Sequence, residues 1–309
     1  MLRSVAPLIP CALLAAALAG CTATAQGQST AKIDSVIAPV SSDPATAADP
    51  TTDPPTKADP PATTRPPAPT HQPKKPHPKV HPIPPKASKL PTTGQVVVLD
   101  PGHNGGNGSH PEIINQPVPA GNGTTKPCNT TGTATDSGYS EHAFNWAVAL
   151  RVRTLLRQHG VTVIITRPND TGVGPCVDKR AAIGNAAHAN AVVSIHGDGA
   201  VTGHGFHIMR AVKDLGTTAV DAASGRLATD IHGGMLAESG MTPATYAGTD
   251  GYDSRSDLAG LNLSSRPTIM IECGNMRNSS DAARMSSVDG RDRIADAIAK
   301  GIEAFLITQ

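Results

Sequence analysis

Short apolar runs recur along the rear part of the chain with the length expected of buried β-strands. They are VVVLD (96–100), VTVIITR (161–167), AVVSIH (191–196), GFHIM (205–209) and PTIMIEC (267–273). Most of them are rich in β-branched residues, which favours strands over helices. The pattern therefore predicts several strands that are buried on both faces, as in a parallel sheet.

Longer amphipathic stretches separate these runs. One stretch ends at Gly160, two more cover 177–190 and 219–240, and the last runs to the end of the chain. The apolar faces of the first and last stretches carry Phe144, Val148, Val152, Leu155 and Ile294, Ile298, Ile302, Phe305. Strands that alternate with helices favour a mostly parallel twisted sheet with helices on both faces. We therefore expect an α/β fold with a single globular domain over residues 94–309.

The front of the chain lacks such periodicity. From Thr22 to about Pro91 the residues are mainly Pro, Thr, Ala and Asp, with Lys and His added later, and most of the 28 prolines lie here. A segment of this composition cannot bury enough apolar surface to offset the entropy lost on ordering. We therefore expect residues 21–93 to form a disordered, proline-rich tether.

The first residues are typical of an export signal. Arg3 supplies a positive charge, residues 5–18 form an apolar run that is short for a membrane span, and Leu18-Ala19-Gly20-Cys21 follows. This order resembles a bacterial lipoprotein signal, in which cleavage precedes the cysteine and Cys21 becomes the lipidated N-terminus. An ordinary secretory peptide with an incidental cysteine is the alternative. We expect residues 1–20 to be removed and the protein to be exported and lipid-anchored to the outer face of the cytoplasmic membrane.

Composition narrows the class of protein. Hydrophobic residues make up 38% of the chain and charged residues 17%, which suffices for a sizeable core, and the formal net charge is only +1. This balance gives no reason to expect nucleic acid as a partner.

The cysteines agree with export. Beyond the signal the chain has Cys128, Cys176 and Cys273. Cys128 and Cys176 both lie in turn-like sequence, where an exported protein can form a disulfide. Cys273 would remain free, because in an extended strand it points to the face opposite its neighbour Glu272.

A glycine-rich turn, GHNGGNG (102–108), follows the first strand. Phosphate-binding loops need G-x-x-x-x-G-K-[ST], and dinucleotide-binding turns need G-x-G-x-x-G leading into a helix; neither pattern fits. The turn instead presents His103 just past the carboxyl end of a strand. We expect Gly102 and Gly105 to let the backbone bend sharply around it.

Coordinating side chains recur at the same edge of the predicted sheet. His103 and His196 follow strands, Glu272 closes another, and Glu141 precedes the first long helix, where it can lean over that edge. A single histidine or glutamate at a strand end is usually a surface residue. The hypothesis of a metal site therefore rests on the coincidence of four such residues at one edge. Two histidines and a carboxylate with one open position are a catalytic zinc arrangement, and they leave a further carboxylate free to act as base.

Other histidines compete as ligands. They are His142, His188, His204 and His207. His142 directly follows Glu141, so on a helix the two side chains point about 100° apart. His207 lies inside a predicted strand. We therefore prefer His196.

Taken together, the rear part of the chain resembles the zinc-dependent N-acetylmuramoyl-L-alanine amidases of the type 3 class. The motifs that carry the resemblance, over residues 95–309, are Val98-Leu99-Asp100-Pro101-Gly102-His103, Glu141, Thr166-Arg167, Arg180 with Asn185-Ala186, Ser194-Ile195-His196 and Glu272. The resemblance implies that His103, Glu141 and His196 bind Zn²⁺ and that Glu272 is the catalytic residue. It also implies that the substrate is peptidoglycan, cut at the amide between the lactyl group of N-acetylmuramic acid and L-alanine.

The chain departs from the common family pattern after Glu272. Many members continue Gly-Phe-x-Ser-Asn, whereas residues 273–278 are CGNMRN. This is similar to a narrower branch of exported cell-wall amidases, in which a disulfide and a site without a plugging helix are usual. Asn275 and Asn278 either position the substrate or cap the next helix. We expect Arg180 to pair with an aspartate rather than with substrate.

The site is expected to be open to solvent. Glu238 is the only glutamate between His196 and Glu272, and it lies in a helix that should pack on the sheet rather than reach the metal. The alternative is that an aspartate from residues 250–257 occupies the open position on the metal and plugs the site.

Three functions remain in competition. The first is zinc-dependent hydrolysis of the muramoyl–alanine amide in cell-wall remodelling or daughter-cell separation. The second is a zinc peptidase acting on peptidoglycan peptides, and the third is a peptidoglycan-binding lipoprotein without turnover. A pure binding protein has no need of a base beside a metal, which favours an enzyme. We expect a monomer that faces the cell wall and acts on peptidoglycan or muropeptides.

Overall fold

The computed structural model describes residues 92–212 and 218–309. The predicted signal (residues 1–20), Cys21 and the tether as far as residue 91 lie outside the described residues, so these expectations stay predictions. Within the described ranges, no helix is both long enough and apolar enough to cross a membrane.

Strands and helices alternate along the described residues. The strands are β1 Val96–Pro101, β2 Pro117–Gly121, β3 Thr124–Pro127, β4 Thr162–Ile165, β5 Ala191–Asp198, β6 His207–Ala211, β7 Tyr252–Arg255 and β8 Thr268–Asn275. The helices are α1 Pro111–Ile114, α2 Glu141–Gln158, α3 Val177–Ala186, α4 Thr218–Gly234, α5 Ala259–Asn262, α6 Ser279–Ser286 and α7 Val288–Ile307. A π-helical turn, Met235–Ser239, continues α4.

Six strands form one sheet in the order β4-β1-β5-β8-β6-β7. Neighbouring strands are parallel except β6 and β8, which are antiparallel. β2 and β3 form a separate antiparallel hairpin. The expectation of a mostly parallel sheet is confirmed.

Helices cover both faces of the sheet. On one face, α2, α4 and α7 enclose the main core, to which alternate strand residues such as Leu99, Ile195 and Ile271 contribute. On the other face, Val98 and Val192 pack towards α3. Along β1 and β5, the residues on this α3 face change from apolar to polar towards the carboxyl end. The carboxyl ends of these two strands therefore present polar side chains on the α3 face.

The direction of β6 was not predictable from its apolar pattern. A parallel return to the same sheet needs a crossover of about a dozen residues or more, usually a helix. Only residues 199–206 connect β5 to β6. The chain therefore turns back, and β6 lies antiparallel to β8 at the far side of β8 from β5.

The β2–β3 hairpin was missed, although the sequence carries a signal for it. Asn122 and Gly123 occupy its turn with φ values of 55° and 71°. Asn-Gly is the usual pair for a two-residue turn in which both central residues have positive φ.

A disulfide joins Cys128, at the end of this hairpin, to Cys176, at the start of α3. This is the pairing expected from the sequence. Cys273 on β8 is a free, buried cysteine on the main-core face. The bridge ties the hairpin to the helix that covers the site-bearing face of the sheet.

Candidate active site

The sheet brings polar side chains together where its central strands end. Asp100 on β1 lies opposite Ser194 on β5, and His196 on β5 lies opposite Glu272 on β8. Partners in adjacent strands point to the same face of a sheet. His196 and Glu272 are therefore neighbours on the α3 face, as expected from their positions at strand ends.

His103, Glu141 and His196 converge above this edge. Glu141 Oε1 lies 3.0 Å from His103 Nε2 and 2.9 Å from His196 Nδ1. One potential ligand atom from each residue lies within 4.8 Å of the others, and in the described residues no other group of three His, Cys, Asp or Glu side chains meets this condition. Two imidazoles and a carboxylate are a donor set suited to a catalytic zinc ion.

Two glycines make this close approach possible. An ideal Cβ on Gly102 would lie 2.0 Å from His196 Cε1, and one on Gly132 would lie 2.7 Å from Glu141 Oε2. The positive φ in the turn belongs to His103 itself, at 59°, and not to Gly102 or Gly105. The left-handed bend is therefore made by His103, and Gly102 and Gly105 contribute by leaving room for His196 and for the Asp170 carbonyl. Gly102 is needed for space beside His196.

The hydrogen bonds of His103 orient its ring. His103 Nδ1 lies 3.0 Å from the carbonyl oxygen of Thr130. A carbonyl only accepts, so this contact requires a proton on Nδ1, and Nε2 is the nitrogen that faces Glu141. The main-chain carbonyl of His103 accepts a hydrogen bond from Arg180 at 2.8 Å. These contacts hold the histidine in a backbone conformation that is otherwise unfavourable.

Glu141 is buried at the first residue of α2 and is held by both of its oxygens. Oε2 accepts from the Thr133 backbone N–H at 2.9 Å, and Oε1 accepts from Asn145 Nδ2 at 3.3 Å. Burial by itself would raise the pKa of Glu141, but the adjacent His103 and His196 hold it well below its usual range. The side chain is therefore an ionised, fixed carboxylate.

Glu272 lies beside this triad but does not belong to it. Its Oε2 is buried and has no hydrogen-bond partner among the described residues. Burial raises the pKa of Glu272 well above its usual value, and the negative charges of Glu141 and Asp198 add to the increase. A carboxyl group with a strongly raised pKa next to a potential metal site is a candidate for proton transfer.

A buried ion pair supports the turn that carries His103. Asp100 accepts hydrogen bonds from Arg180 at 2.8 Å, Thr166 at 2.6 Å and Ser194 at 2.7 Å. Burial alone would raise the pKa of Asp100, but Arg180 and the two hydroxyl groups lower it to about 2. Arg180 thus pairs with an aspartate, as expected from the sequence.

The competing histidines lie outside the triad. His142 Nδ1 lies 2.9 Å from Asp170 Oδ2, and His204 Nδ1 lies 3.2 Å from Thr242 Oγ1. His188 follows α3, and His207 is buried at the start of β6.

The two asparagines after Glu272 have structural partners. Asn278 caps α6 by accepting from the N–H groups of Ser280 and Asp281. Asn275 Nδ2 donates to the carbonyls of Ala200 and Gly203 at 3.0 Å each. The capping alternative therefore describes Asn278, and Asn275 braces the loop after β5.

The triad and Glu272 open into a cleft of about 350 Å³. Residues that the sequence analysis did not single out form part of its wall, among them Lys126 on β3, Leu258 and Met270. The Asn-Gly turn signal of the hairpin could have pointed to Lys126 as part of this wall. A larger groove of about 790 Å³ lies between α2 and α7, away from the triad.

Three of the four carboxylates considered as plugs are engaged elsewhere. Glu238 lines that distant groove and pairs with Lys300 at 2.8 Å. Asp257 pairs with Arg255 at 2.8 Å, and Asp253 lies 3.6 Å from the same guanidinium. Within 218–309, the triad gains no further carboxylate from these residues.

Comparisons with known proteins agree with this geometry. Residues 97–304 match the N-acetylmuramoyl-L-alanine amidase family (Amidase_3). The chain is 45% identical over 231 residues to an N-acetylmuramoyl-L-alanine amidase from Mycobacterium tuberculosis, a match that covers 74% of this chain and 94% of the relative.

Solved structures show the same similarity. The N-acetylmuramyl-L-alanine amidase from Mycobacterium smegmatis is 46% identical with a TM-score of 0.67, covering 71% of this chain and 99% of that protein. The apo form of the amidase from Mycobacterium abscessus is 49% identical with a TM-score of 0.65, covering 69% of this chain and 99% of that protein.

Proposed function

Because this chain belongs to the N-acetylmuramoyl-L-alanine amidase family, we propose that it uses a zinc ion to hydrolyse the amide between the lactyl group of N-acetylmuramic acid and L-alanine. The protein is an N-acetylmuramoyl-L-alanine amidase that acts on peptidoglycan; the metal, the residue roles and the biological role are the proposal. The observation that most directly supports the proposal is that His103, Glu141 and His196 converge beside Glu272. Among the described residues, Glu272 Oε2 has no hydrogen-bond partner.

His103, Glu141 and His196 would hold the zinc ion. Their donor chemistry fits, since neutral imidazole nitrogen and carboxylate oxygen are common zinc ligands, and three protein ligands leave a position for water or substrate. When bound, zinc acts as a Lewis acid that polarises the amide carbonyl and makes water nucleophilic at neutral pH.

Glu272 is the proposed acid and base. It accepts a proton from the attacking water while the new C–O bond forms, and it returns the proton to the nitrogen of L-alanine as the C–N bond breaks. Its raised pKa suits the first step, because a more basic carboxylate takes the proton more readily. The buried position of Oε2 keeps this oxygen free of competing donors from the described residues.

The surrounding residues fix the geometry. Thr130 sets the tautomer of His103, and Arg180 holds the carbonyl of His103 while neutralising Asp100. Positions held by strands and buried ion pairs are better defined than positions on free loops, which is what a metal site requires.

The biological setting is also part of the proposal. We place the catalytic domain at residues 94–309, behind a signal of residues 1–20, a lipidated Cys21 and a proline-rich tether of residues 21–93. The Cys128–Cys176 disulfide supports export, because disulfides persist in oxidising compartments. The protein would act as a monomer on the outer face of the cytoplasmic membrane, in cell-wall remodelling and daughter-cell separation.

Digestion of purified peptidoglycan followed by mass spectrometry of the products tests the function. We expect stem peptides that begin with L-alanine and glycan strands that retain the lactyl group. Cuts inside the stem peptide would instead indicate the peptidase, and an absence of products with zinc-loaded protein would indicate a binding protein. Glu272→Gln is the matched inactive control.

A further inference from the structure

Glu272 and the residue opposite it on the next strand both carry a buried polar atom without a partner. Over residues 92–212 and 218–309, the buried side-chain atoms that lack a hydrogen-bond partner include Glu272 Oε2 and His207 Nδ1. Buried polar groups in proteins are nearly always hydrogen-bonded, and an unpaired one is destabilising. An unpaired atom on the proposed catalytic residue and another on its direct strand partner therefore call for a functional explanation.

The sheet sets His207 beside Glu272. β6 is antiparallel to β8, and His207 is the direct partner of Glu272 in their register. Residues directly opposite each other in an antiparallel pair lie on the same face, with Cβ atoms about 4.5–5.5 Å apart. On its other side Glu272 has His196 as partner. The three residues form a row across β5, β8 and β6 with the carboxylate in the middle.

His207 is poorly explained as a core residue. It is 2% exposed, and its ring meets the ring of Tyr246 edge-on, with 5.7 Å between the centroids. An apolar side chain of similar size would make the same packing contacts without the cost of desolvating two ring nitrogens. The imidazole therefore has a use that packing alone does not supply.

The lowered pKa of His207 favours its neutral imidazole, which still has one N–H to donate. Burial lowers the pKa of His207, with Arg255 acting in the same direction and Asp198 and Asp253 opposing it. A neutral imidazole has one N–H and one acceptor nitrogen. Burial also raises the pKa of Tyr246, with the charges of Asp198 and Glu272 and a hydrogen bond with Asp198 adding to it. Both side chains therefore keep a proton to donate at neutral pH.

We propose that His207 and Tyr246 are a pair of positioning residues for Glu272. His207 Nδ1 and Glu272 Oε2 are each unpaired in the structure. Reorientation of the imidazole brings its N–H to the Glu272 carboxylate and fixes which oxygen faces the scissile amide, while the Tyr246 ring packs edge-on against the imidazole. This inference rests on the proposed role of Glu272 as the base. Neither residue touches the substrate, and neither belongs to the metal-binding triad.

Substitutions in the full-length enzyme separate this role from simple packing. His207→Phe keeps a ring and removes the N–H, and we expect kcat to fall by about 10- to 100-fold, as for other residues that orient a catalytic group. KM should change less than about twofold, and bound zinc should be unchanged. His207→Asn restores an N–H near the position of Nδ1 and should recover most of kcat. His204→Phe, which removes an exposed imidazole three residues earlier, should behave as wild type.

A double-mutant cycle provides the second measurement. If His207 acts through Glu272, His207→Phe should not lower the residual rate of Glu272→Gln any further. A reduction by the same factor in both backgrounds, or a wild-type kcat in His207→Phe, would overturn the proposal.

Tyr246→Leu answers the question if His207→Phe does not fold, since it removes the ring that meets the imidazole edge-on. A lower kcat that disappears in the Glu272→Gln background supports the pair, and an unchanged kcat overturns it. The proposed function fails separately: a wild-type enzyme that leaves the lactyl–alanine amide intact contradicts the function. An active wild type, an inactive Glu272→Gln and a fully active His207→Phe contradict only this inference.

Discussion

His196 and Glu272 are direct partners in the register of β5 and β8. The candidate zinc ligand and the candidate base are therefore placed by backbone pairing between two interior strands, and not by loops. Interior strands are rigid, so substitutions of these side chains should leave the backbone in place. Their effects can then be interpreted as changes in chemistry.

Zinc binding should depend on the histidines of the triad. We expect one zinc ion per wild-type protein and its loss in His103→Ala and in His196→Ala, because two ligands cannot retain the ion as three do. Acidification should also release it, since protonated imidazole does not coordinate. His142→Ala is the control, because His142 is bonded to Asp170 instead. Elemental analysis that finds full zinc in both triad variants would exclude this site.

Activity should depend on Glu272 independently of the metal. Glu272→Gln is nearly isosteric, so zinc content and fold should be kept while kcat falls by roughly 10²- to 10⁴-fold. Steady-state kinetics on soluble muropeptides measures the effect. Near-normal turnover would assign the base to another residue.

The raised pKa of Glu272 predicts a stability effect in metal-free protein. The folded state binds this proton more tightly than the unfolded chain, so stability is lost as pH rises from the unfolded pKa of about 4.3 through the folded pKa. Glu272→Gln removes this loss. Thermal unfolding in the presence of a chelator should show the variant to be more stable than wild type at pH 7 and similar to it at pH 4. A less stable variant at pH 7 would contradict the shift.

The pair of Asp100 and Arg180 should stabilise the fold. Arg180→Ala leaves a buried carboxylate without its partner and should lower the free energy of unfolding by about 3–5 kcal/mol. Denaturant unfolding at pH 7 measures this, with Lys179→Ala at the exposed neighbouring position as control. An effect no larger than that of the control would show that the pair is dispensable.

The same pair predicts acid sensitivity. The folded pKa of Asp100, about 2, lies below the unfolded value of about 3.9. Its contribution is therefore present above about pH 4 and is lost as pH falls towards 2. Unfolding measured between these values should show wild type losing part of its advantage over Arg180→Ala. A constant difference would argue against the shift.

The disulfide should stabilise the catalytic domain. Cys128 and Cys176 are 48 positions apart, and removing a bridge of this kind with Cys128→Ser should cost about 2–5 kcal/mol. Peptide mapping without reductant should show this pair, and Cys273 should resist alkylation in the folded protein because it is buried. A disulfide that contains Cys273 would contradict the arrangement.

The enzyme should be active without a partner protein. Glu238→Ala should leave the rate unchanged, since its carboxylate pairs with Lys300 away from the cleft. The assay uses purified enzyme on peptidoglycan fragments. Activity that appears only after an activator is added would show that the site is closed by a segment not recognised here.

Local patterns were sufficient to predict much of this protein. The apolar runs and amphipathic stretches indicated the strands of the main parallel block and the long helices, because burial in a layered fold imposes these periods on the sequence. The positions of His103, His196 and Glu272 after apolar runs indicated the edge at which they meet. The pairing of Cys128 with Cys176 followed from their turn-like surroundings.

Other features depended on the tertiary structure, because they arise from contacts between distant segments. Whether β6 runs parallel or antiparallel, and which strand it joins, is set by pairing across the sheet; only this placed His207 beside Glu272. The space needed at Gly102 comes from the close approach of His196, and the left-handed backbone of His103 next to it is likewise not recorded in any local pattern. A one-dimensional pattern records which side chains are buried, but the atoms that meet are decided by how the buried faces pack together.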